Sequence, residues 1–245
     1  MTKNDSVQTA LVTGASGGIG EAICRLLIKR RYRVVATARS RDKLEQLASE
    51  LGNDLFPLAL DVTDTKAVGE LPKTLPQDFS NVDILVNNAG HDVGGRRRFD
   101  QGSAEQWNAI IETNVQGLIQ VTHALVGGML ERGRGHIVNI GSIAGLQPTA
   151  TMAAYVASKY AVHGLSDTLR LDYAGKGIRV TEIMPGMVKS GFAKERLGED
   201  EAAEVFYDSF EALLQPQDIA ETVCFAIAQP AHVEIAQLVV LPVAG

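Results

Sequence analysis

The sequence predicts a doubly wound α/β fold, in which parallel strands form a central sheet and helices cover both of its faces. Short apolar segments typical of strands alternate along the chain with longer segments whose apolar residues recur at helical spacing. The first strand passes directly into a helix through a turn with glycines at positions 14, 17, 18 and 20. Because the 245 residues contain no polar or repetitive linker, we expect a single domain over residues 1–245.

The composition argues against several classes of function. A formal net charge of −6 and a pI near 5.4 argue against nucleic-acid binding. The N-terminus has no apolar signal region and no apolar run approaches membrane-spanning length, so no membrane partner is expected. Cys24 and Cys224 lack metal-ligand spacing, which predicts buried reduced thiols in a cytoplasmic protein without a metal site. His123, His163 and His232 are expected to be structural.

The turn after the first strand has the composition of a phosphate-binding loop. Glycines let a pyrophosphate approach the backbone, and the N-terminus of the next helix offers unpaired N–H groups. The glycine spacing differs from the common G-x-G-x-x-G fingerprint, and no P-loop Gly-Lys-Ser/Thr follows. The pattern favours dinucleotide binding over an ordinary glycine-rich turn. The candidate contacts are Gly14, Ser16, Gly18, Ile19 and Gly20.

The end of the second strand, residues 33–38, predicts which dinucleotide binds. An acidic residue at this place would hold the ribose 2′-hydroxyl of NAD. This chain instead has Ala38 followed by Arg39 and, two residues later, Arg41. No carboxylate would repel a 2′-phosphate, and a guanidinium can hold that phosphate with two hydrogen bonds. We therefore predict NADP(H), the alternative being that both arginines are solvated surface charges.

The third and fourth predicted strands end in further candidate cofactor contacts. The third, residues 55–60, ends at Asp61 and Val62, where ligands bind in open α/β sheets. Asp61 is placed to accept a hydrogen bond from an adenine amino group, although it could instead cap the next helix. After the fourth strand, residues 83–86, small and amide residues suit backbone lying against a flat cofactor, and a plain turn would tolerate them too. They are Asn88, Ala89 and Gly90.

The loop and helix that follow contain polar residues for which more than one role is open. The loop 91–101 contains three consecutive arginines, 96–98, which either attract an anionic substrate or form a solvated charge run. Ser103 and Gln106 have the spacing of a capping box that opens a long helix. Asn114 lies inside that helix, where an asparagine is unfavourable because its amide competes for backbone groups.

A tyrosine and a lysine share one face of the next predicted helix, residues 151–174. The fifth strand, residues 136–140, ends just before Ser142, on the side of the sheet where a cofactor would lie. Tyr155 and Lys159 follow four residues apart on the helix. A phenol titrates near pH 10, and a neighbouring ammonium lowers that pKa toward the range of acid–base catalysis.

Taken in order along the chain, these motifs resemble those of the short-chain dehydrogenase/reductase family. The resemblance covers essentially the whole sequence, and its specificity comes from the order and spacing of motifs that are weak one by one. They are Thr13-Gly14-Ala15-Ser16-Gly17-Gly18-Ile19-Gly20, Asn87-Asn88-Ala89-Gly90, Asn114, Ser142, Tyr155-Val156-Ala157-Ser158-Lys159 and Pro185-Gly186.

The resemblance implies an oxidoreductase that transfers hydride between C4 of the NADP(H) nicotinamide and an alcohol or carbonyl substrate. It implies a Rossmann-like domain with a seven-stranded parallel sheet, in a homotetramer or homodimer built from the two long helices. Tyr155 would be the general acid/base, Ser142 would hydrogen-bond the reacting oxygen, and Lys159 would lower the pKa of Tyr155 and bind the nicotinamide ribose. Asn114 would hold a relay water and Arg39 the 2′-phosphate. Further cofactor contacts would come from Pro185, Gly186 and Val188.

Within the family, three segments are most similar to the NADP-dependent 3-hydroxy acid dehydrogenases acting on serine and allo-threonine. They are residues 135–142, 230–233 and 241–243. A small 3-hydroxy acid or β-hydroxy amino acid is therefore the favoured substrate. The loop 91–98 and residues 149–152 do not match that branch. A broad-specificity reductase of ketones and aldehydes stays open, as does a catalytically silent NADP-binding interaction protein, against which the intact catalytic set argues.

The sixth strand covers residues 178–184. The charge-rich segment that follows it is too long for a plain connector. We expect about residues 187–215 to form a substrate lid. The candidate lining residues are Met187, Val188, Phe206 and Phe210. Phe206 and Phe210 also lie at helical spacing with Leu214, so packing of the segment against the body of the domain is an equal alternative. A helix beginning at Pro216 and a last strand over residues 236–241 complete the prediction.

Overall fold

The computed structural model describes residues 7–197 and 200–243, and it confirms the predicted doubly wound α/β domain. The predictions for residues 1–6, 198–199 and 244–245 therefore lie outside the described residues. All seven strands pair in parallel, in the order β3-β2-β1-β4-β5-β6-β7. Their bounds are Thr9–Thr13 (β1), Arg33–Ala38 (β2), Leu55–Ala59 (β3), Val82–Asn87 (β4), Gly135–Ile140 (β5), Ile178–Pro185 (β6) and Gln237–Val240 (β7).

Helices cover both faces of the sheet because the strands are apolar on both sides, as expected for a parallel sheet. Ala10 and Val12 of β1 face one layer of the core and Leu11 faces the other. The helices are Gly18–Lys29 (α1), Arg41–Leu51 (α2), Thr65–Thr74 (α3), Ala104–Ile111 (α4), Leu118–Arg132 (α5), Ala153–Asp172 (α6), Phe192–Leu197 (α7), Asp200–Asp208 (α8) and Pro216–Ile227 (α9). The first layer packs under α1, α2 and α9, and the second under α3 and α5.

Two predicted helices differ from the structure at places with an identifiable local cause. The long helix that Ser103 and Gln106 open with the predicted capping box is interrupted by a π-helical turn, Glu112–Gly117, between α4 and α5. The helix predicted over residues 151–174 begins only at Ala153, because Thr151 has a φ of +67° and cannot continue a right-handed helix.

A buried chain of polar side chains ties the central strands to the helices behind them. Asn87 Nδ2 donates to Thr122 Oγ1 and to Asn139 Oδ1, both at 2.9 Å. Asn139 Nδ2 donates in turn to Ser166 Oγ of α6 at 2.9 Å. These groups have no access to water, so each hydrogen bond satisfies a group that would otherwise be costly to bury. The network fixes the carboxyl ends of β4 and β5 relative to α5 and α6.

We predict that Asn139→Ala lowers the free energy of unfolding by about 2–3 kcal/mol, because the buried Asn87 amide loses one of its two acceptors and Ser166 loses a donor. Chemical denaturation followed by circular dichroism measures the change. The matched control is Asn108→Ala on the exposed side of α4, which should change stability by less than about 0.5 kcal/mol. Equal effects of the two substitutions would contradict the role of the network.

Candidate active site

A cavity of about 970 Å³ opens at the carboxyl ends of the strands and collects nearly all of the predicted site residues. Two predicted residues, Gly20 and Asn114, are not part of its wall. The predicted residues that line it are Gly14, Ser16, Gly18, Ile19, Arg39, Asp61, Val62, Asn88, Ala89, Gly90, Ser142, Tyr155, Lys159, Pro185, Gly186 and Val188. The open edge of a doubly wound sheet is where ligands of this fold bind.

The glycines of the turn after β1 have two different surroundings. Some line the cavity, and one packs against the protein backbone. Gly14 and Gly18 line the cavity with φ values of +66° and +54°, a region that favours glycine. Gly20 is buried, and a Cβ there would lie 2.2 Å from the Gly14 carbonyl oxygen. Gly20 thus lets α1 pack closely on the turn and does not line the cavity, so its predicted cofactor contact stays a prediction. The exposed N–H groups at the start of α1 suit a pyrophosphate.

The residues after β2 and β3 place basic and acidic side chains along one side of the cavity. Arg39 and Lys43 line it, whereas Arg41 lies outside and pairs with Glu45 at 3.4 Å. The Asp61 carboxylate accepts from the N–H and hydroxyl of Thr63. Although burial works in the opposite direction, these hydrogen bonds and the charge of Arg39 hold the pKa of Asp61 below its ordinary value.

Asp61 does not cap the following helix, which was the alternative role for it. The cap of α3 is Asp64, whose Oδ1 accepts from the N–H groups of Lys66 and Ala67 at 3.0 Å each. Asp61 is left at the end of its strand, on the cavity wall. That location keeps the predicted contact to adenine open as a hypothesis.

Asn114 lies behind the cavity wall, in the π-helical turn, and fastens the loop that follows β4. Its Oδ1 accepts from the His91 N–H at 2.9 Å and its Nδ2 donates to the His91 carbonyl at 3.0 Å. The same Nδ2 donates to Ser158 Oγ of α6 at 3.1 Å. A π-helical turn inside an α-helix is frequently found at functional sites. The amide thus joins the π-helical turn, α6 and the loop after β4, and its part in a proton relay stays a prediction.

Tyr155, Ser142 and Lys159 meet on the cavity wall as the sequence predicted. Burial raises the pKa of Tyr155 to about 12, and a hydrogen bond with Ser142 and the charge of Arg196 oppose that rise. Lys159 Nζ lies 5.6 Å from the centre of the Tyr155 ring and donates to the Ile140 carbonyl at 2.9 Å. The ammonium thus faces the backbone in this structure, and the expectation that Lys159 lowers the pKa of Tyr155 stays a prediction.

The outer wall of the cavity contains an ion pair that the sequence did not reveal. Arg196 Nε lies 2.9 Å from Asp92 Oδ2, and the two side chains are 4% and 2% exposed. The Arg196 guanidinium also stacks on Phe192 and Phe206, 5.1 and 5.7 Å from the ring centres. The two charged residues are more than 100 positions apart in the sequence, so no local pattern signals their contact.

The predicted lid supplies part of this wall but not all of its predicted lining. Met187, Val188 and Phe206 line the cavity. Phe210 does not, and instead packs edge-to-face on Phe206 with ring centres 5.2 Å apart. Leu214 pairs with Val188 in a short parallel bridge, so the packing alternative holds for the far end of the segment.

Of the three arginines in the loop after β4, only Arg96 lines the cavity. Its guanidinium lies 5.6 Å from the centre of the Phe206 ring, and burial followed by the charge of Arg196 lowers its pKa. Arg98 is turned away and pairs with Asp100 at 2.6 Å. Arg97 is exposed and uses its backbone N–H to bind the Thr151 carbonyl.

The cysteines and histidines do not form a metal site in the part of the chain that the structure describes. Cys24 and Cys224 are buried thiols, as predicted, and burial raises the pKa of both. His123 and His232 are exposed, and their predicted structural role stays a prediction. His163 has a buried partner, described below. Within residues 7–197 and 200–243, the structure contains no helix that is long and apolar enough to cross a membrane.

Comparisons with known proteins agree with this geometry. A model of the short chain dehydrogenase family matches residues 8–201. The chain is 43% identical over 235 residues to the NADP-dependent 3-hydroxy acid dehydrogenase YdfG of Escherichia coli strain K12, covering 95% of this chain and 94% of that protein. The solved closed form of a serine dehydrogenase complexed with NADP+ superposes with a TM-score of 0.92 at 42% identity, over 95% and 94% of the two chains. The chain belongs to the short-chain dehydrogenase/reductase family.

Proposed function

We propose that this chain is an NADP(H)-dependent oxidoreductase that interconverts a secondary alcohol and a carbonyl, with a small 3-hydroxy acid or β-hydroxy amino acid as its favoured substrate. The observation that carries the proposal is the convergence of Ser142, Tyr155 and Lys159 on one cavity with the glycine turn and Arg39. The names of the relatives, a 3-hydroxy acid dehydrogenase and a serine dehydrogenase, support the substrate class.

The residues of the cavity fit NADP(H). Gly14 and Gly18 line the cavity without side chains that could obstruct a ligand, and the α1 N-terminus would bind the pyrophosphate. Arg39 would hold the 2′-phosphate, Asp61 and Val62 the adenine, and the segments after β4 and β6 the nicotinamide side. Once bound, the nicotinamide supplies or accepts the hydride at its C4.

Tyr155 would move the proton of the reacting oxygen. In oxidation its Oη would take the proton from the substrate hydroxyl, and in reduction it would return that proton to the oxygen. Ser142 would donate a hydrogen bond to the same oxygen and stabilise its developing negative charge. Lys159 would bind the nicotinamide ribose, and Asn114 would hold a water that connects Lys159 to solvent. Because burial raises the pKa of Tyr155, the phenolate needs nearby positive charge in the working enzyme.

We predict that Tyr155→Phe lowers kcat by about a thousandfold or more, because the substrate oxygen loses its proton donor and acceptor. NADPH absorbance at saturating cofactor measures turnover, and fluorescence titration measures NADPH affinity, which should change by less than about twofold because the ring is retained. Turnover in the variant near the wild-type rate would exclude the mechanism. A wild-type chain that binds NADPH yet turns over no alcohol or carbonyl would favour the silent binding protein.

We predict that Arg39→Ala raises the KM for NADP+ by about ten- to a hundredfold and leaves the KM for NAD+ nearly unchanged, because only the 2′-phosphate loses its charged partner. Steady-state kinetics with both cofactors measure the ratio of the KM for NADP+ to the KM for NAD+. The control is Arg41→Ala, which removes a guanidinium outside the cavity and should leave the ratio as in the wild type. A wild-type enzyme that prefers NAD+ would overturn the cofactor assignment.

The mouth of the cavity favours an anionic substrate. Arg196 is already neutralised by Asp92, whereas Arg96 forms no ion pair with any described residue. The charge of Arg196 lies close enough to lower the pKa of Arg96, so an incoming carboxylate would relieve repulsion between two guanidiniums. Arg96 would therefore hold the carboxylate of a 3-hydroxy acid, which a reductase of uncharged ketones does not need.

We predict that Arg96→Ala raises the KM for allo-threonine by about tenfold or more while sparing the oxidation of an uncharged secondary alcohol, since only the acid loses an ion pair. Arg97→Ala is the matched control, because the next arginine in the chain does not line the cavity. Equal losses for both substrates would mean that Arg96 shapes the pocket instead of binding charge. Activity confined to uncharged ketones would favour the broad carbonyl reductase.

Further parts of the proposal concern the lid, the assembly and the location of the enzyme. The segment 187–215 would close over substrate, supported by Met187, Val188 and Phe206, which line the cavity. A homotetramer or homodimer would use the faces of α5 and α6, which expose large apolar residues in solution. These are Ile119, Leu130, Tyr160 and Leu171. Two buried thiols are consistent with a cytoplasmic location.

A further inference from the structure

The two catalytic residues of α6 begin a longer stripe of polar side chains on that helix. Tyr155, Lys159, His163 and Asp167 follow one another at intervals of four residues and therefore share one face. The side chains pass from the cavity wall to the protein surface, since Tyr155 and Lys159 are buried and the Asp167 side chain is 45% exposed. The stripe thus runs along one face of the helix, from the active site to the protein surface at Asp167.

Glu182 of β6 faces this stripe from the sheet and is fully buried. Its Oε2 is bonded to His163 Nδ1 at 2.7 Å. Its Oε1 has no hydrogen-bond partner among the described residues and packs against Gly141, where a Cβ would lie 2.2 Å from it. A buried carboxylate with one free oxygen is costly to the fold unless a nearby charge compensates it.

Two groups compensate this carboxylate, His163 and then the ammonium of Lys159. Lys159 donates to the Ile140 carbonyl, and Glu182 packs against Gly141, the next residue of the same segment. Burial lowers the pKa of Lys159 to about 8, and Glu182 opposes that fall. Burial raises the pKa of Glu182, while His163 and then Lys159 lower it. Each charge therefore keeps the other ionised.

The other ionisable groups near this pair belong to the same helix. Tyr155 lies on the cavity side of Lys159, and His163 lies beside Glu182. Asp167 is 3.9 Å from His163 Nε2 and is itself paired with Arg170 at 2.8 Å. Of these, His163 is the group that touches the carboxylate and fixes its direction.

We propose that Glu182, held by His163, is a positioning residue whose carboxylate keeps the buried Lys159 ammonium charged in the active site. Neither residue lines the cavity, so they act through Lys159 and not on substrate or cofactor. The inference goes beyond the proposed function, because it concerns the protonation of one lysine whatever the enzyme oxidises. A purely structural Glu182, tying β6 to α6, would leave the titration of Lys159 unchanged.

The direct test is the titration of Lys159 in protein carrying ¹³C-labelled lysine. Its NMR signal is assigned by its absence in Lys159→Arg. In the wild type the signal should titrate near pH 8, below the ordinary value for lysine. In Glu182→Gln it should titrate at least about one pH unit lower, because a neutral amide no longer favours the ammonium. The alkaline limb of the pH profile of kcat/KM should move in the same direction.

Two substitutions at His163 provide a matched pair if Glu182→Gln does not fold, which thermal unfolding will show. His163→Gln keeps an N–H donor for Glu182 and should leave the titration of Lys159 within about 0.3 pH units of the wild type. His163→Leu removes the donor, lets the buried carboxylate take up a proton, and should shift the titration downward as Glu182→Gln does. The proposal is overturned if Lys159 titrates as in the wild type in folded Glu182→Gln or in His163→Leu. Neither result depends on substrate, so the test can fail while the proposed function stands.

Discussion

Burial of ionisable groups at the carboxyl edge of the sheet is the constraint on which the active site depends. Lys159 and Tyr155 are both removed from water, and burial pushes each of them toward its neutral form. Their charged forms persist only where the surrounding protein supplies compensating charges and dipoles. The Ile140 carbonyl and Glu182 supply them to the lysine, and Ser142 and Arg196 supply them to the tyrosine.

The scaffold meets this constraint by fixing the strand ends with polar networks. The Asn87–Asn139 chain ties β4 and β5 to the helices behind them, and Asn114 ties the next loop to α6. Because every amide in these networks is buried, displacing one strand end would leave several groups without partners. The backbone that would face a cofactor is therefore held rigidly, as preorganised electrostatic stabilisation requires.

The opposite side of the cavity is built differently, from short helices and aromatic side chains. Arg196 of α7 reaches Asp92 in the loop after β4, and Phe206 of α8 lies under both Arg196 and Arg96. This arrangement joins the segment after β6 to the loop after β4 across the mouth of the cavity. The loop 91–98, which does not match the 3-hydroxy acid branch in sequence, thus supplies part of that mouth.

The sequence by itself determined the elements and their order along the chain. The second strand has its predicted bounds, the capping box at Ser103 is present, and α9 begins at Pro216, because these features depend on residues a few positions apart. The alternation of strands and helices fixed the parallel topology, which brought the motif residues to one edge.

Only the tertiary structure decided which of those residues face the ligand and which charges face one another. It placed Gly20 and Asn114 behind the cavity wall, separated Arg96 from Arg97 and Arg98, and turned Lys159 toward the backbone. It also paired Asp92 with Arg196 and His163 with Glu182. These contacts join residues far apart in the chain or depend on how a side chain turns in a packed interior. Neither periodicity nor motif spacing carries that information, because both describe only neighbours along the chain.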